Sequence, residues 1–377
     1  MTGAPDELSW HPGDDAGRRR FAEVVDPAGA ALEVEGGGSL PSVTIAYETW
    51  GALDAARSNA VLVLHALTGD SHATGEAGPG HPTPGWWDLL IGPGAPIDTD
   101  RFFVVCPNVL GGCQGTTGPS SIAPDGRPWG SRFPRLTIRD QVAAEVLLAD
   151  ELGIERWTGV VGGSMGGMRV LEWCVGHPDR VARAAVLAVG ASASAEQVAL
   201  CSVQCRAVRL DPAYVGGDYY DTGSAPVAGM ALARGIGQIS YRSEREFDER
   251  FGRRPQGDED PLRGGRFAVE SYLDHQGAKL AARFDPNSYI VLSEAMNGHD
   301  IGRGRGGVTA ALARVTADVH VAGIDTDRLY PLAQQTQLAE RLPGARPPTV
   351  ITSRFGHDGF LLEADQAGAV LTRALGG

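Results

Sequence analysis

The stretch at residues 158–167, with the sequence TGVVGGSMGG, limits the possible fold more than any other part of the chain. Its first half is typical of a buried strand, and apolar residues then recur three or four positions apart over residues 165–174, as in a helix. The letters GGSMG between them fit the pattern G-x-S-x-G. A strand, a serine flanked by glycines and a helix are the context of a nucleophile elbow, a strained turn that exposes a serine hydroxyl. We therefore predict that Ser164 is a nucleophile.

The same turn predicts a group that would assist a reaction at Ser164. The N–H of Met165 lies at the N-terminus of the predicted helix, where it would stabilise a developing oxyanion. The competing interpretation is a flexible Gly-Ser turn, because a chain with 52 glycines matches G-x-S-x-G easily by chance. A nucleophile elbow, unlike a simple turn, requires an acid and a histidine later in the chain, in that order.

Both residue types follow at suitable places. A predicted strand at residues 319–324 is followed by Asp325 and Asp327, and His357 lies in a Gly-flanked turn after the last predicted strand. The order Ser, Asp, His is that of α/β-hydrolase enzymes. His357 would take the proton of Ser164, which then forms an acyl-enzyme, while the acid orients the imidazole. Spacing does not decide between the two aspartates, and the other one would cap the loop.

A second oxyanion donor is expected in the loop after the predicted strand Ala60–Leu64, which is apolar throughout. This loop reads HALTG at residues 65–69, and the backbone N–H near Leu67 is the candidate donor. The competing interpretation is an ordinary turn between a strand and a helix.

The alternation of strand and helix patterns predicts an α/β protein with a mostly parallel central sheet and helices on both faces. Residues 1–40 would form an N-terminal arm with a first strand near residues 31–34. Residues 41–194 and 313–377 would form the two parts of the core. Residues 195–312 are rich in charged residues and helical patterns, and we predict that they form a helical insertion over the site.

Charge and apolar patterning exclude several classes of function. The net charge of −13 and the lack of a long Lys/Arg-rich run argue against a nucleic-acid partner. No apolar run is long enough to span a membrane, and the N-terminus has no signal-peptide pattern, so a cytoplasmic protein with reduced thiols is expected. Cys201 and Cys205 lie four residues apart, but no other ligand pair accompanies them, and we predict no metal site.

Beyond these motifs, the chain resembles the homoserine O-acetyltransferase family of methionine biosynthesis, a branch of the α/β-hydrolase superfamily. The matching stretches run from about residue 40 to the C-terminus: HALTGDSH (65–72), GWWD (85–88), IGPG (91–94), IDTD (97–100), NVLGGCQGTTGP (108–119), the elbow, YRS (241–243), DRLYP (327–331) and GHDGF (356–360). The resemblance implies an α/β-hydrolase fold with a helical lid insertion. It also implies that Asp327, which directly precedes Arg-Leu-Tyr-Pro, is the acid of the triad.

The resemblance further implies which residues contact the substrate. Arg234, seven positions before the Tyr of the YRS motif, would contact homoserine, and Tyr241 and Asp358 are the other candidates. A guanidinium binds an amino-acid carboxylate in bidentate fashion, and a carboxylate suits the α-ammonium group.

The activity implied by the resemblance is acetyl transfer from acetyl-CoA to L-homoserine by a ping-pong acyl-serine mechanism. Acetyl-CoA would be a co-substrate, with no bound cofactor, and the protein would be a homodimer through the lid helices. One alternative keeps the machinery but uses succinyl-CoA as donor or serine as acceptor. A second is a plain esterase. A third is a non-enzymatic binding protein of the same fold, which the complete set of Ser164, Asp327 and His357 disfavours.

Overall fold

An eight-stranded sheet forms the centre of the computed structural model, which describes residues 8–377. In chain order its strands are β1 (Arg20–Val25), β2 (Val43–Trp50), β3 (Ala60–Leu64), β4 (Phe103–Pro107), β5 (Gly159–Gly163), β6 (Arg183–Leu187), β7 (Asp318–Ile324) and β8 (Thr349–Ile351). They lie in the order β1-β2-β4-β3-β5-β6-β7-β8. Strand β2 is antiparallel to both of its neighbours, and all other adjacent pairs are parallel.

Helices cover both faces of this sheet. All five residues of β3 are buried, as expected for a parallel strand covered on both sides. Leu62 and Leu64 belong to the apolar cluster on one face of the sheet, whereas Val61 and Val63 belong to the cluster on the opposite face. The helices of the core are α1 (Ile138–Glu151), α2 (Met165–Gly176), α9 (Leu332–Arg341), α10 (Gly359–Leu362) and α11 (Ala364–Ala374).

Between β6 and β7 the chain forms helices and turns but no strand. Helix α3 (Ala195–Leu210) packs against α4 (Val227–Tyr241) and α7 (Pro286–Asn297), and α4 also packs against α6 (Ala268–Ala281). None of the helices within residues 8–377 has the length and apolar content that crossing a membrane requires. The helices of this insertion are α3 (Ala195–Leu210), α4 (Val227–Tyr241), α5 (Glu244–Arg250), α6 (Ala268–Ala281), α7 (Pro286–Asn297) and α8 (Val308–Leu312).

The first strand of the sheet does not lie where the sequence predicts it. It is β1, whereas Leu32–Glu33 only forms a two-residue ladder with Ser39–Leu40, and Ile91–Gly92 pairs in the same way with Ile97–Asp98. The strand predicted near residues 31–34 is present only as this short ladder outside the central sheet, because tertiary pairing with β2 selects β1, whose edge position needs only Ala22 and Val25 to be buried. The first seven residues of the predicted arm lie outside the described residues.

The topology brings four loops to one edge of the sheet. Strands β3, β5, β7 and β8 are parallel, so their carboxyl ends point the same way. The loops that leave these ends carry Leu67, Ser164, Asp327 and His357 respectively. Ligand sites of open α/β sheets lie at this edge.

Candidate active site

Ser164 occupies a strained turn between β5 and α2. Its backbone has φ 57° and ψ −125°, a region that non-glycine residues rarely adopt. The flanking glycines allow the close packing that this turn requires, because a Cβ on Gly166 would lie 2.0 Å from the carbonyl oxygen of Leu64. The local structure is therefore a nucleophile elbow.

The side chains of Ser164, His357 and Asp327 form a hydrogen-bonded chain. The Ser164 Oγ lies 2.9 Å from His357 Nε2, and His357 Nδ1 lies 2.7 Å from Asp327 Oδ2. The other carboxylate oxygen of Asp327 accepts hydrogen bonds from the N–H groups of Leu329 and Tyr330, at 2.9 and 2.8 Å. Because Asp327 can only accept, Nδ1 carries a proton and Nε2 is left to accept from the serine hydroxyl.

Asp325, which the residue pattern left as an alternative acid, points elsewhere. Its Oδ1 accepts a hydrogen bond from the N–H of Ser353 at 3.0 Å, which ties the loop after β7 to the loop after β8. The structure thus places Asp327 against the imidazole, and Asp325 has a role in holding the loop.

The surroundings of His357 favour its protonated form, although burial by itself opposes that form. Burial lowers its pKa, but the charge of Asp327 and the hydrogen bond to it outweigh this effect, so the pKa is raised above the usual 6.5. The ring stacks on Tyr330, with 5.0 Å between centroids, and meets Phe360 edge-on at 5.6 Å. These contacts fix the plane of the imidazole.

The two predicted oxyanion donors, Leu67 and Met165, lie in the loop after β3 and at the start of α2. The loop is held by His65, whose Nε2 accepts from the N–H of Val109 at 3.1 Å and whose Nδ1 donates to the Ala66 carbonyl at 2.8 Å. Burial lowers the pKa of His65 to about 3, so this histidine stays neutral and keeps both contacts. A rigid loop is what a preorganised oxyanion site requires.

A buried arginine joins this loop to the elbow helix α2 and to helix α1. Arg169 of α2 donates to the carbonyl oxygen of His65 at 2.5 Å and pairs with Glu145 of α1 at 2.7 Å. Glu145 also accepts from the indole N–H of Trp173 at 2.8 Å. This pair was not predicted from the sequence, although a lone arginine in the apolar helix α2 is a visible signal for it.

The three predicted substrate residues lie around His357. The guanidinium of Arg234 sits 5.4 Å from the ring centroid of Tyr241, whose ring centroid is in turn 6.1 Å from that of His357. Asp358 directly follows His357, and its Oδ2 lies 3.1 Å from Nε of Arg242. Burial raises the pKa of Asp358, and the charges of Arg242, His357 and Arg234 oppose that effect. Arg242 was not predicted from the sequence as a partner of Asp358.

The end of α4 is docked on the loop that carries His357. The hydroxyl of Ser243 donates to the carbonyl oxygen of Arg354. Gly356 has φ 65°, and a Cβ there would lie 2.6 Å from the carbonyl oxygen of Tyr241. The end of α4 and the loop that carries His357 are therefore held together, with the candidate substrate residues beside that histidine.

One other buried cluster has the residue types of a metal site, namely Glu48, His72 and His81. The two imidazoles stack in parallel, with centroids 3.9 Å apart and an angle of 10°, so their in-plane lone pairs cannot converge on one ion. His81 Nε2 already accepts from the N–H of Arg18 at 3.0 Å. Hydrogen bonding and charge from Glu48 outweigh burial and raise the pKa of His72, so the cluster fits a buried ion pair better than a metal centre.

Comparison with known proteins shows the fold class and the family of the chain. The sequence model of the alpha/beta hydrolase fold matches residues 59–364, so the chain is an α/β hydrolase, which confirms the predicted fold class. Homoserine O-acetyltransferase from Thermobifida fusca is 61% identical over 97% of this chain and 96% of its own length. The enzyme of the same name from Mycolicibacterium smegmatis is 58% identical over 92% of this chain and 91% of its own. The chain belongs to the homoserine O-acetyltransferase family, as the resemblance indicated, and is an acyltransferase.

Solved structures with the same architecture include both transferases and esterases. Homoserine O-acetyltransferase from Bacillus anthracis has a TM-score of 0.85 and 26% identity, over 96% of this chain and 98% of that one. Esterase E22 has a TM-score of 0.84 and 27% identity, over 95% of this chain and 99% of that one. The overall fold alone therefore does not separate acyl transfer from ester hydrolysis.

Proposed function

We propose that this protein transfers the acetyl group of acetyl-CoA to the side-chain hydroxyl of L-homoserine, in the biosynthesis of methionine, through an acetylated Ser164. The observation that carries the proposal is the hydrogen-bonded chain from Ser164 through His357 to Asp327, with Arg234 and Asp358 beside it. The names of relatives that are 58–61% identical to the chain support the same activity.

In the first half-reaction His357 acts as a general base. It takes the proton of Ser164 while Oγ attacks the thioester carbonyl, and the N–H groups of Leu67 and Met165 stabilise the oxyanion. The tetrahedral intermediate then breaks its carbon–sulfur bond. His357 returns the proton to the leaving thiolate, so free CoA departs and Ser164 keeps the acetyl group.

In the second half-reaction the acceptor hydroxyl replaces the thiol. His357 takes the proton of the homoserine hydroxyl, whose oxygen attacks the acetyl-serine carbonyl. The bond to Ser164 Oγ then breaks, and the proton passes from His357 to that oxygen. The products are O-acetyl-L-homoserine and the original enzyme, with acetyl-CoA consumed as co-substrate and no bound cofactor or metal required.

The polar residues under the lid suit an amino-acid acceptor. Arg234 would bind the α-carboxylate, Asp358 would face the α-ammonium, and Tyr241 would line the space between them and His357. Burial raises the pKa of Asp358, and the charge of Arg242, whose Nε lies 3.1 Å from Asp358 Oδ2, opposes that effect; a bound ammonium group would oppose it further. The lid helices would exclude water, which favours transfer over hydrolysis.

Ester hydrolysis is the second candidate function. It is favoured by the esterase structures that share the fold at 27% identity, close to the 26% of the transferase structure. Transfer of succinyl groups, or transfer to serine, would need only a change in the space around the same residues.

We also propose a homodimer through the lid helices. Helices α4 and α6 border an apolar groove of about 870 Å³, where the side chain of Leu232 is 60% exposed and that of Ile239 is 43% exposed. The family resemblance implies that a second copy of the chain covers this face.

The test is release of free CoA thiol from acetyl-CoA and succinyl-CoA, each with L-homoserine and with L-serine, for the wild type and Ser164→Ala. Thiol release that needs acetyl-CoA and homoserine together, and is lost in the variant, supports the proposal. Turnover only with succinyl-CoA or serine would keep the mechanism and change the substrate. Equal release without any acceptor would identify a hydrolase.

A further inference from the structure

Gln238 lies directly behind the proposed carboxylate-binding arginine. It follows Arg234 by four residues in α4, so the two side chains share one face of the helix. Gln238 is 2% exposed, which makes the partners of its amide decisive for its role. These partners are Arg234 and Tyr272 of α6.

Hydrogen bonding determines how the amide of Gln238 is oriented. With its oxygen towards Arg234, it accepts from Nη2 at 2.8 Å and from Nε at 3.1 Å, while its nitrogen donates to the Tyr272 hydroxyl at 2.8 Å. The opposite orientation would set the amide nitrogen against the guanidinium, where both groups can only donate. We assign the first orientation because it satisfies both groups.

This arrangement leaves one edge of the Arg234 guanidinium available to a ligand. Gln238 uses the edge formed by Nε and Nη2, so the edge formed by Nη1 and Nη2 remains for a bidentate carboxylate. The uncharged amide fixes the plane of Arg234 without neutralising it. Tyr272 holds the amide in turn, and its own ring packs against Phe251, with 5.0 Å between centroids.

We propose that Gln238 is a positioning residue that presents the charged guanidinium of Arg234 to the carboxylate of the acceptor. The inference rests on the proposed function, in which Arg234 binds that carboxylate. It assigns to Gln238 an effect on acceptors that carry a carboxylate, and none on formation of the acetyl-enzyme.

The test compares two acceptors. L-Homoserine is measured beside 3-aminopropan-1-ol, which keeps the hydroxyl and the amine at the same spacing but lacks the carboxylate. The rate of acetyl-enzyme formation from acetyl-CoA is measured separately by mass spectrometry. The variants are Gln238→Leu, Gln238→Glu and Tyr272→Phe, with Gln141→Leu as a control for loss of a buried glutamine in α1.

We expect Gln238→Leu to lower kcat/KM for homoserine about tenfold, chiefly through KM, because a hydrogen bond to a charged group is lost. Gln238→Glu has the same shape but pairs the charge of Arg234, so it should weaken homoserine binding at least as much. Tyr272→Phe should have a smaller effect in the same direction. The rate with 3-aminopropan-1-ol, acetyl-enzyme formation and all rates of Gln141→Leu should stay within about twofold of the wild type.

Two results would overturn the inference: an unchanged KM for homoserine in both Gln238 variants, or an equal fall in acetyl-enzyme formation, which would indicate a general structural role. Parallel measurements on Arg234→Lys distinguish failure of the positioning role of Gln238 from failure of the proposed function. If Arg234→Lys does not change the ratio between the two acceptors, the role of Arg234 itself is wrong. If it lowers that ratio while Gln238→Leu does not, only the positioning role fails.

Discussion

Replacing Asp327 by asparagine changes the tautomer of His357 while preserving the shape of the site. One carboxylate oxygen of Asp327 accepts from the N–H groups of Leu329 and Tyr330 at 2.9 and 2.8 Å, and the amide oxygen of an asparagine would keep these bonds. The amide nitrogen would then face His357 Nδ1, which lies 2.7 Å from the other oxygen. Since that nitrogen donates, Nδ1 must accept and Nε2 must carry the proton.

A histidine protonated at Nε2 cannot take the proton of Ser164, which is 2.9 Å away. We expect kcat for thiol release to fall about 10⁴-fold, equivalent to about 5.5 kcal/mol of transition-state stabilisation, the scale seen for this substitution in serine proteases. The measurement is steady-state release of CoA thiol, with circular dichroism to check that the variant is folded.

Asp325→Asn is the matched control, because Asp325 lies two residues away and its side chain accepts from the N–H of Ser353, away from His357. Its kcat should stay within a few-fold of the wild type, since an asparagine oxygen can accept the same bond. The reasoning is refuted if Asp327→Asn keeps more than about a tenth of the activity, or if both variants lose activity equally.

Three further predictions concern pH, stability and assembly. The raised pKa of His357 means that kcat/KM should fall as the pH drops through a midpoint above 6.5, because only the neutral imidazole is a base, and a midpoint below 6.5 in the pH–rate profile would contradict this. Arg169→Met should lower the free energy of unfolding by about 3–5 kcal/mol in urea titration, because it leaves Glu145 buried and unpaired, and a loss below about 1 kcal/mol would disprove the ion pair's structural role. Leu232→Arg, in the apolar groove, should give a monomer in light scattering, whereas Leu262→Arg, at a position 91% exposed outside the groove, should remain a dimer. A monomeric wild type would exclude the proposed dimer.

The local part of the site could be predicted from the sequence because its signals are short-range. The elbow at Ser164 needs only a strand, small flanking residues and a helix within ten positions. The order Ser164, Asp327, His357 could be recognised because it is the chain order of α/β hydrolases. The first strand of the sheet could not be located in this way, since β1 is an edge strand selected by pairing with β2.

Contacts between distant segments were decided by tertiary structure alone. The residue pattern left Asp325 and Asp327 as alternatives because both follow β7, and the resemblance chose Asp327. Only the packing of that loop against the loop after β8 directs one side chain to His357 and the other to Ser353.

The sequence by itself predicted the elbow, the chain order of Ser164, Asp327 and His357, and the family, since each depends on short motifs that are read directly along the chain. Only the tertiary structure places the buried side chains that support the site. Gln238 lies behind Arg234, and Arg169 lies beneath the loop of Leu67. The physical reason is that a hydrogen bond depends on angles and on distances of about 3 Å, which spacing along the chain does not specify when the partners lie on different elements.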